Sequence, residues 1–148
     1  KEETNEVIID GWLHTGDIGE IDPEDGYLKI TDRKKDIIVS AGGDNISTAK
    51  IENMITNESE IDQCMVYGDK KNYLVAIIVP NKEFLKEKEK INNVIEKINK
   101  KLTLSEKIKR VQLIDENFSI ENGLMTPTMK VKRKKVTEKY KNQLEKLY

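Results

Sequence analysis

One apolar run limits what this chain can fold into. Residues 74–79 read Leu-Val-Ala-Ile-Ile-Val without a polar side chain, and Pro80 and Asn81 end the run. A strand of this composition needs cover on both faces, so we expect it at the centre of a sheet with helices packed against it. Residues 61–67 are predicted to form a second strand beside it, connected through residues 68–72.

Helical periodicity predicts the helices that would pack on the two faces of this strand. One helix is predicted from about Thr48, a second from Lys82 to about Ile98, and a third from Lys134. The third carries an apolar stripe that we interpret as core packing, formed by Val136, Tyr140, Leu144 and Leu147. Further strands are predicted at residues 17–22 and 27–31 as a hairpin, at residues 37–39 as a buried strand, and at residues 111–114. The predicted fold class is α+β: a small mixed β-sheet flanked by helices and preceded by a β-hairpin.

The charge is balanced over the chain but not along it. With 26 basic and 27 acidic side chains the net charge is -1, which argues against a globally basic nucleic-acid binder. Residues 1–30 carry 2 Lys and 9 Asp or Glu, a net of −7, whereas residues 130–148 carry 8 Lys or Arg and 2 Glu, a net of +6. Two ends of opposite charge suit a protein whose two lobes contact each other. They also suit an anionic ligand that the basic end approaches.

Cysteine and histidine are too rare for several kinds of site. Cys64 and His14 are each the only residue of their type, which excludes a disulfide scaffold and a Cys/His zinc site within the chain, and no metal site is predicted. We interpret Cys64 as a packed small hydrophobe. A lone cysteine favours a reducing compartment, so an intracellular location is expected. Lys1 opens an acidic stretch without an initiator Met, and we expect the chain to be part of a longer protein.

Two segments in the first third of the chain could bind a nucleotide. In residues 11–17, Gly-Trp-Leu-His-Thr-Gly-Asp, the carboxylate of Asp17 beside permissive glycines can accept hydrogen bonds from a vicinal diol. A turn closed by the aspartate is the plain alternative, and on the residues alone the better one. In residues 32–36 the guanidinium of Arg33 suits a ribose or phosphate, and Gly42-Gly43 beyond it exposes backbone N–H groups. Here the alternative is a solvated loop.

A third segment, residues 122–133, contains a lysine on a loop. Lys130 follows Pro127 and precedes a basic run, and a lysine presented in this way can clamp a carboxylate or phosphoryl oxygen in a transition state. The alternative is the basic start of a helix, or a run that resembles a nuclear-localisation signal.

Taken in order, these segments resemble the late motifs of the adenylate-forming superfamily of acyl-CoA synthetases, luciferases and peptide-synthetase adenylation domains. The segments are residues 11–17, residues 32–36 together with Gly42-Gly43 and Ile51-Glu52, and residues 126–130. Residues 118–133 are most similar to the long-chain fatty acyl-CoA synthetases. The resemblance implies that residues 1–32 end a large nucleotide- and acyl-binding domain, that residues 33–36 are a hinge, and that residues 37–148 are the C-terminal lid domain.

The resemblance also implies a reaction. Fatty acid, ATP with Mg²⁺, and coenzyme A give acyl-CoA, AMP and pyrophosphate through an acyl-adenylate, while a missing N-terminal domain holds most of the ATP. The implied roles are Lys130 as the catalytic lysine, Asp17, Arg33 and Thr15 as nucleotide-binding residues, Lys35 as the hinge, and Gly42 and Gly43 as the lining of the coenzyme A tunnel. The isolated chain is expected to be inactive, because the superfamily's phosphate-binding loop and acyl pocket are absent.

Departures and alternatives remain open. Lys35 stands where some families have Asp, and residues 46–50 lack the Pro that many relatives place before the Ile-Glu pair. A ligase for a shorter or aromatic acid is the alternative within the superfamily; a non-enzymatic binding module with a basic tail is the alternative from another class. The expected location is the cytoplasm or the cytoplasmic face of a membrane. Peripheral membrane association of the longer protein is left open, and no nucleic acid is expected.

Overall fold

The computed structural model describes residues 7–148, which divide into two compact units. The first unit ends at Ile37 and the second runs over Ile38–Tyr148. Of the helices in the described range, none combines the length and the apolar composition needed to cross a bilayer.

From residue 7 onward, the first unit contains two antiparallel strand pairs. Its strands are β1 (Ile8–Ile9), β2 (Trp12–Leu13), β3 (Asp17–Ile21) and β4 (Leu28–Arg33). β1 pairs with β2, and β3 pairs with β4. The predicted hairpin is confirmed, and its turn is closed by the carboxylate of Asp22, which accepts the N–H of Glu24 at 2.8 Å. Gly26 follows at a φ of 75°, a left-handed conformation in which glycine is not strained.

The second unit is built on a three-stranded mixed sheet. Its strands are β7 (Ile61–Tyr67), β8 (Leu74–Pro80) and β9 (Ile108–Leu113), in the order β7-β8-β9. β7 pairs antiparallel and β9 parallel with β8, all of whose residues are buried. The apolar run is therefore the central strand, and the predicted α+β fold with a mixed sheet is confirmed. β9 begins earlier than predicted, because the side-chain amide of Asn99 bonds both backbone groups of Ile108 at 2.8 and 2.9 Å.

Helices lie on both faces of this sheet. They are α1 (Thr48–Thr56), a 3-10 turn (Lys82–Phe84), α2 (Lys88–Asn99), α3 (Arg133–Lys139) and α4 (Lys141–Glu145). The continuous helix predicted from Lys82 is wrong. The side chain of Asn81 caps only the short 3-10 turn, by accepting the N–H of Glu83, and the buried stripe begins at Ile91 in α2. The tail likewise divides at Tyr140, whose backbone leaves the helical region.

Alternation along β8 separates two hydrophobic clusters. One set of β8 side chains packs with α1 and α2, and consists of Leu74, Ala76 and Ile78. The other set packs with Phe118 and the tail helices, and consists of Val75, Ile77 and Val79. Val136, Tyr140 and Leu144 are buried in the second cluster and Leu147 packs against it, which confirms the predicted core stripe.

A separate two-stranded sheet leads into α1. Its strands are β5 (Ile37–Val39) and β6 (Asn45–Ser47). The predicted strand at residues 37–39 is confirmed, but its predicted burial is wrong, since Val39 is 41% exposed. Successive side chains of a strand point to opposite faces, so Ile38 packs against the core while Val39 faces outward. The hydroxyl of Ser47 caps α1 by accepting the N–H of Lys50.

Candidate functional site

The base of the β3–β4 hairpin places an acid beside a guanidinium. Asp17 begins β3 and Arg33 ends β4, and the two are paired in the strand register. The Nε atom of Arg33 lies 3.3 Å from Oδ1 of Asp17. The side chains are 62% and 31% exposed, respectively, so both remain open to solvent. Together they offer a carboxylate that can accept from a diol and a planar donor beside it.

Thr15 shapes the turn that enters β3. Its Oγ1 atom accepts the N–H of Asp17 at 3.2 Å, and the carbonyl of Gly16 accepts the N–H of Lys34 at 2.8 Å. The threonine hydroxyl, and not the aspartate, therefore makes the turn contact, while the carboxylate of Asp17 faces Arg33. The structure brings Thr15, Asp17 and Arg33 together; their nucleotide-binding role stays a prediction.

Lys35 lies in the turn between β4 and β5. Its side chain is exposed, and the turn is closed by the N–H of Asp36, which donates to the carbonyl of Arg33 at 2.9 Å. The boundary between the two compact units falls after Ile37. The proposed hinge function of Lys35 stays a prediction.

Residues 40–44, called the glycine loop below, connect β5 to β6. The Ser40 N–H donates to the carbonyl of Asp44 at 3.0 Å, and the Ser40 hydroxyl accepts the N–H of Asp44 at 3.1 Å. Gly43 has a φ of 88°, which strains any residue with a Cβ. Gly42 has no such φ, and a Cβ there would lie 3.6 Å from the Ser40 hydroxyl, an ordinary contact. The backbone thus requires glycine at 43 but not at 42.

Gly42 lines a cavity of about 290 Å³ within the second unit. Three loops form its wall, with the residues Ser40, Gly42, Asp44, Lys71, Asn72, Tyr73, Leu74, Leu104 and Ser105. Leu104 is 80% exposed and is the most exposed large apolar side chain of the described residues. The wall combines polar groups with an apolar contact, which suits a flexible ligand arm that carries amides.

Lys130 lies in a tight loop closed by an isolated bridge between Met125 and Val131. Thr126 holds the lysine backbone on both sides: its N–H donates to the Lys130 carbonyl at 2.8 Å, and its Oγ1 atom accepts the Lys130 N–H at 3.1 Å. Met129 adopts a left-handed φ of 61° to complete the turn. The side chain of Lys130 is exposed, so the loop fixes the backbone and leaves the ammonium group accessible.

Sequence reasoning missed an ion pair next to this loop. The Nη2 atom of Arg133 lies 2.6 Å from Oε2 of Glu52, and Nη1 donates to the carbonyl of Val66 at 3.1 Å. Oε1 of Glu52 accepts the N–H of the same valine at 2.7 Å. The ion pair therefore joins α1, β7 and the first turn of α3. No local sequence pattern predicts a contact between residues 81 positions apart, although Glu52 and Arg133 both lie in segments that the sequence analysis singles out.

The lone cysteine has a structural environment. Cys64 is 5% exposed, and burial, together with the nearby Glu52 carboxylate, raises the pKa of its thiol well above the ordinary value. Its interpretation as a packed small hydrophobe is confirmed.

Within residues 7–148, no three His, Cys, Asp or Glu side chains cluster in a way that could hold a metal ion.

Comparisons with known proteins agree on one family. The family model described as the AMP-binding enzyme C-terminal domain matches residues 35–148. The long-chain-fatty-acid–CoA ligase FadD15 of Mycobacterium tuberculosis is 34% identical over 98% of this chain and 28% of its own length. Long-chain-fatty-acid–CoA ligase 6 of Mus musculus is 37% identical over 100% of this chain and 24% of its own length. The chain thus spans about a quarter of the length of the curated relatives it matches.

Solved structures show the same fold. The adenylation domain of a carboxylate reductase from Mycobacterium chelonae superposes with a TM-score of 0.89 at 30% identity. The match covers 99% of this chain and 25% of that chain.

Proposed function

This chain belongs to the AMP-binding enzyme C-terminal domain family, and from this premise we propose that it is the C-terminal part of a long-chain fatty acyl-CoA synthetase. The longer protein is called the parent enzyme below. The observation that carries the proposal is the loop of Lys130, which holds the lysine backbone through Thr126 and leaves its ammonium group exposed. The names of relatives that match 98–100% of the chain support the long-chain substrate.

In the first half-reaction a carboxylate oxygen of the fatty acid attacks the α-phosphorus of ATP. The new P–O bond forms as the bond to the bridging oxygen breaks, and pyrophosphate leaves with the electron pair. Negative charge is then shared between the carboxylate and the α-phosphate, where a preorganised cation stabilises the transition state. We assign that role to Lys130, and we assign ribose binding to Asp17 and Arg33 with Thr15 beside them.

In the second half-reaction the thiol of coenzyme A loses its proton to solvent, and the sulfur attacks the acyl carbon. The C–S bond forms as the C–O bond to AMP breaks, and AMP leaves with the electron pair. We assign the approach of the thiol to the cavity beside Gly42, because the missing side chain at 42 keeps that wall open. Gly43 has a φ of 88°, a conformation that glycine adopts without strain, and this conformation shapes the loop that carries Gly42.

Mg²⁺ accompanies ATP in this proposal, and we assign its binding mainly to the N-terminal domain of the parent enzyme. Within residues 7–148, no three His, Cys, Asp or Glu side chains cluster in a way that could hold the ion.

The remaining partner is an N-terminal domain of the same chain. Trp12, Ile21 and Tyr27 of the first unit are 70–76% exposed, and large apolar side chains at such exposure are typical of a surface that another part of a protein covers. We place the parent enzyme in the cytoplasm or on the cytoplasmic face of a membrane. We propose no nucleic-acid partner.

The test compares two lysines of equal charge in the parent enzyme. Lys130→Ala should lower acyl-adenylate formation about a hundredfold or more, while thioester formation from supplied acyl-adenylate stays close to the wild-type rate. Lys135→Ala removes the same charge from the exposed side of α3 and should change neither rate. Equal losses from both variants in both half-reactions would contradict the assignment of Lys130 to adenylation. A panel of fatty and aromatic acids with ATP and coenzyme A, read by product mass, tests the acyl class.

A further inference from the structure

The turn between β7 and β8, residues 68–72, is bonded to the backbone around the glycine loop. The N–H of Lys70 donates to the carbonyl of Val39 at 2.7 Å, and the N–H of Ala41 donates to the carbonyl of Lys71 at 2.9 Å. Two backbone hydrogen bonds thus connect this β7–β8 turn to the segment immediately before Gly42. A displacement of the turn would shift the glycine loop, because backbone groups and not flexible side chains make the connection.

Tyr148 supports the opposite side of the same turn. Its single O–H is shared between the carbonyl oxygens of Tyr73 at 3.1 Å and Tyr67 at 3.4 Å, and these two residues lie on either side of the turn. Its ring stacks on Tyr73 with centroids 4.9 Å apart, and the Nζ atom of Lys71 lies 4.6 Å from its centroid. The tyrosine therefore bridges the two ends of the turn and contacts a residue inside it.

The contacts are reciprocal. The hydroxyl of Tyr73 donates to the carbonyl of Leu147 at 2.8 Å, so Tyr148 bonds the carbonyl of Tyr73 while Tyr73 bonds that of the residue before Tyr148. Burial raises the pKa of the Tyr148 phenol, so its hydroxyl stays a donor even at a pH at which an exposed tyrosine ionises. Lys71 and Tyr73 also line the cavity beside Gly42. Tyr148 thus lies directly behind the wall that we assign to the approach of coenzyme A.

We propose that Tyr148 is a positioning residue for thioester formation, which fixes the β7–β8 turn and through it the glycine loop and the Gly42 cavity. The proposal rests on the function proposed above. It separates the two half-reactions within the second unit: Lys130 serves adenylation from its own loop, whereas Tyr148 supports the coenzyme A side. The contacts of Tyr148 run to Tyr67, Lys71 and Tyr73, and the loop of Lys130 is held instead by Thr126.

The test uses Tyr148→Ala and Tyr148→Phe in the parent enzyme. The KM for coenzyme A should rise with Tyr148→Ala by roughly five- to tenfold, the ratio that corresponds to about one ordinary hydrogen bond, while the rate of acyl-adenylate formation stays unchanged. Tyr148→Phe keeps the stacking and the lysine contact and loses only the shared hydroxyl contact to the two carbonyls, so its KM should lie between those of the wild type and Tyr148→Ala. Tyr140→Phe is the matched control, because it removes a tyrosine hydroxyl bonded to Glu116 in the second cluster and should leave this KM unchanged.

A lower melting temperature with an unchanged KM for coenzyme A would overturn the proposal and leave Tyr148 a purely structural residue. Equal loss in both half-reactions would overturn it as well. Should Tyr148→Ala not fold, Tyr148→Phe decides alone, since a wild-type KM in that variant contradicts the bridging role. Failure of the underlying function is recognised separately, because the wild-type parent would then form no acyl-CoA from any acid.

Discussion

The guanidinium of Arg133 and the carboxylate of Glu52 lie 2.6 Å apart and bond both backbone groups of one residue of β7, Val66. Their side chains are only 26% and 18% exposed, so water screens the pair less than it would at the surface. Lys130 precedes the arginine by three residues, and its loop ends where α3 begins. The ion pair therefore fixes one end of the lysine loop to the sheet.

Loss of Arg133 should harm both folding and adenylation. Arg133→Met leaves the Glu52 carboxylate and the Val66 carbonyl without this donor, and we expect the free energy of unfolding to fall by about 1–3 kcal/mol. Arg133→Lys keeps the charge, but a single ammonium group cannot reproduce the planar fork, so it should recover only part of the stability. Urea unfolding measures the first effect, and acyl-adenylate formation below the melting temperature measures the second. Wild-type adenylation in a folded Arg133→Met parent would contradict a role in positioning Lys130.

The two glycines of the glycine loop should respond differently to alanine. Gly43→Ala forces a Cβ into a φ of 88° and should cost about 1–2 kcal/mol of stability. Gly42→Ala meets only ordinary contacts and should leave the melting temperature unchanged. It narrows the cavity, however, so it should slow thioester formation and spare adenylation, and Gly42→Leu should do so more strongly. Normal acyl-CoA output from Gly42→Leu would exclude the cavity as the path of the thiol.

The sequence was sufficient for the parts of the fold that depend on local pattern. An uninterrupted apolar run predicts a central strand, since no other position covers both faces of residues 74–79. The stripe from Val136 to Leu147 was predicted from helical spacing in the same way, even though the helix divides at Tyr140. Local pattern was less informative for β5, because three apolar residues in a row do not reveal that Val39 faces outward.

Pairings over long distances could not be predicted. The contact between Glu52 and Arg133 spans 81 positions, and that between Tyr148 and the β7–β8 turn spans at least 75. Both depend on how helices pack on the sheet, which no local periodicity specifies. Asp17 and Arg33 are an intermediate case, because a hairpin brings them together once its turn and register are known.

Asp17→Asn should separate binding from stability at the hairpin. The ion pair with Arg33 is exposed, and such pairs contribute about 0–1 kcal/mol, so the unfolding curve should barely move. An amide is a weaker acceptor for a ribose diol than a carboxylate, and it does not attract the arginine. We therefore expect the KM for ATP in the parent enzyme to rise roughly tenfold or more, the loss of one charge-assisted hydrogen bond. Thr15→Val, which removes the hydrogen bond between the Asp17 N–H and the threonine hydroxyl, is measured beside Asp17→Asn. A large loss of stability with an unchanged KM for ATP would show that Asp17 is only structural.

Cys64 should be inert in the folded chain, although it is the only thiol. Burial first, and then the Glu52 carboxylate, raises the pKa of the thiol, while Arg133 partly opposes the shift. Alkylation requires the thiolate and access, so iodoacetamide at pH 8 should leave the native chain unmodified and label it fully in urea. Mass spectrometry of the two samples measures the difference.

The raised pKa of the Cys64 thiol should make the folded chain less stable as the pH rises. A folded-state pKa above the unfolded value of about 8.5 means that the contribution is complete below that pH and is lost as pH rises toward the folded-state pKa. Unfolding free energies measured at pH 7 and pH 10 should therefore fall more for the wild-type chain than for Cys64→Ala. The comparison with the variant removes the parallel contribution of Tyr140, whose pKa is raised to about 12 by burial and by the hydrogen bond to Glu116. Identical pH dependence in both proteins, or rapid alkylation of the native chain, would show that the thiol is accessible in the fold and ionises as an exposed cysteine does.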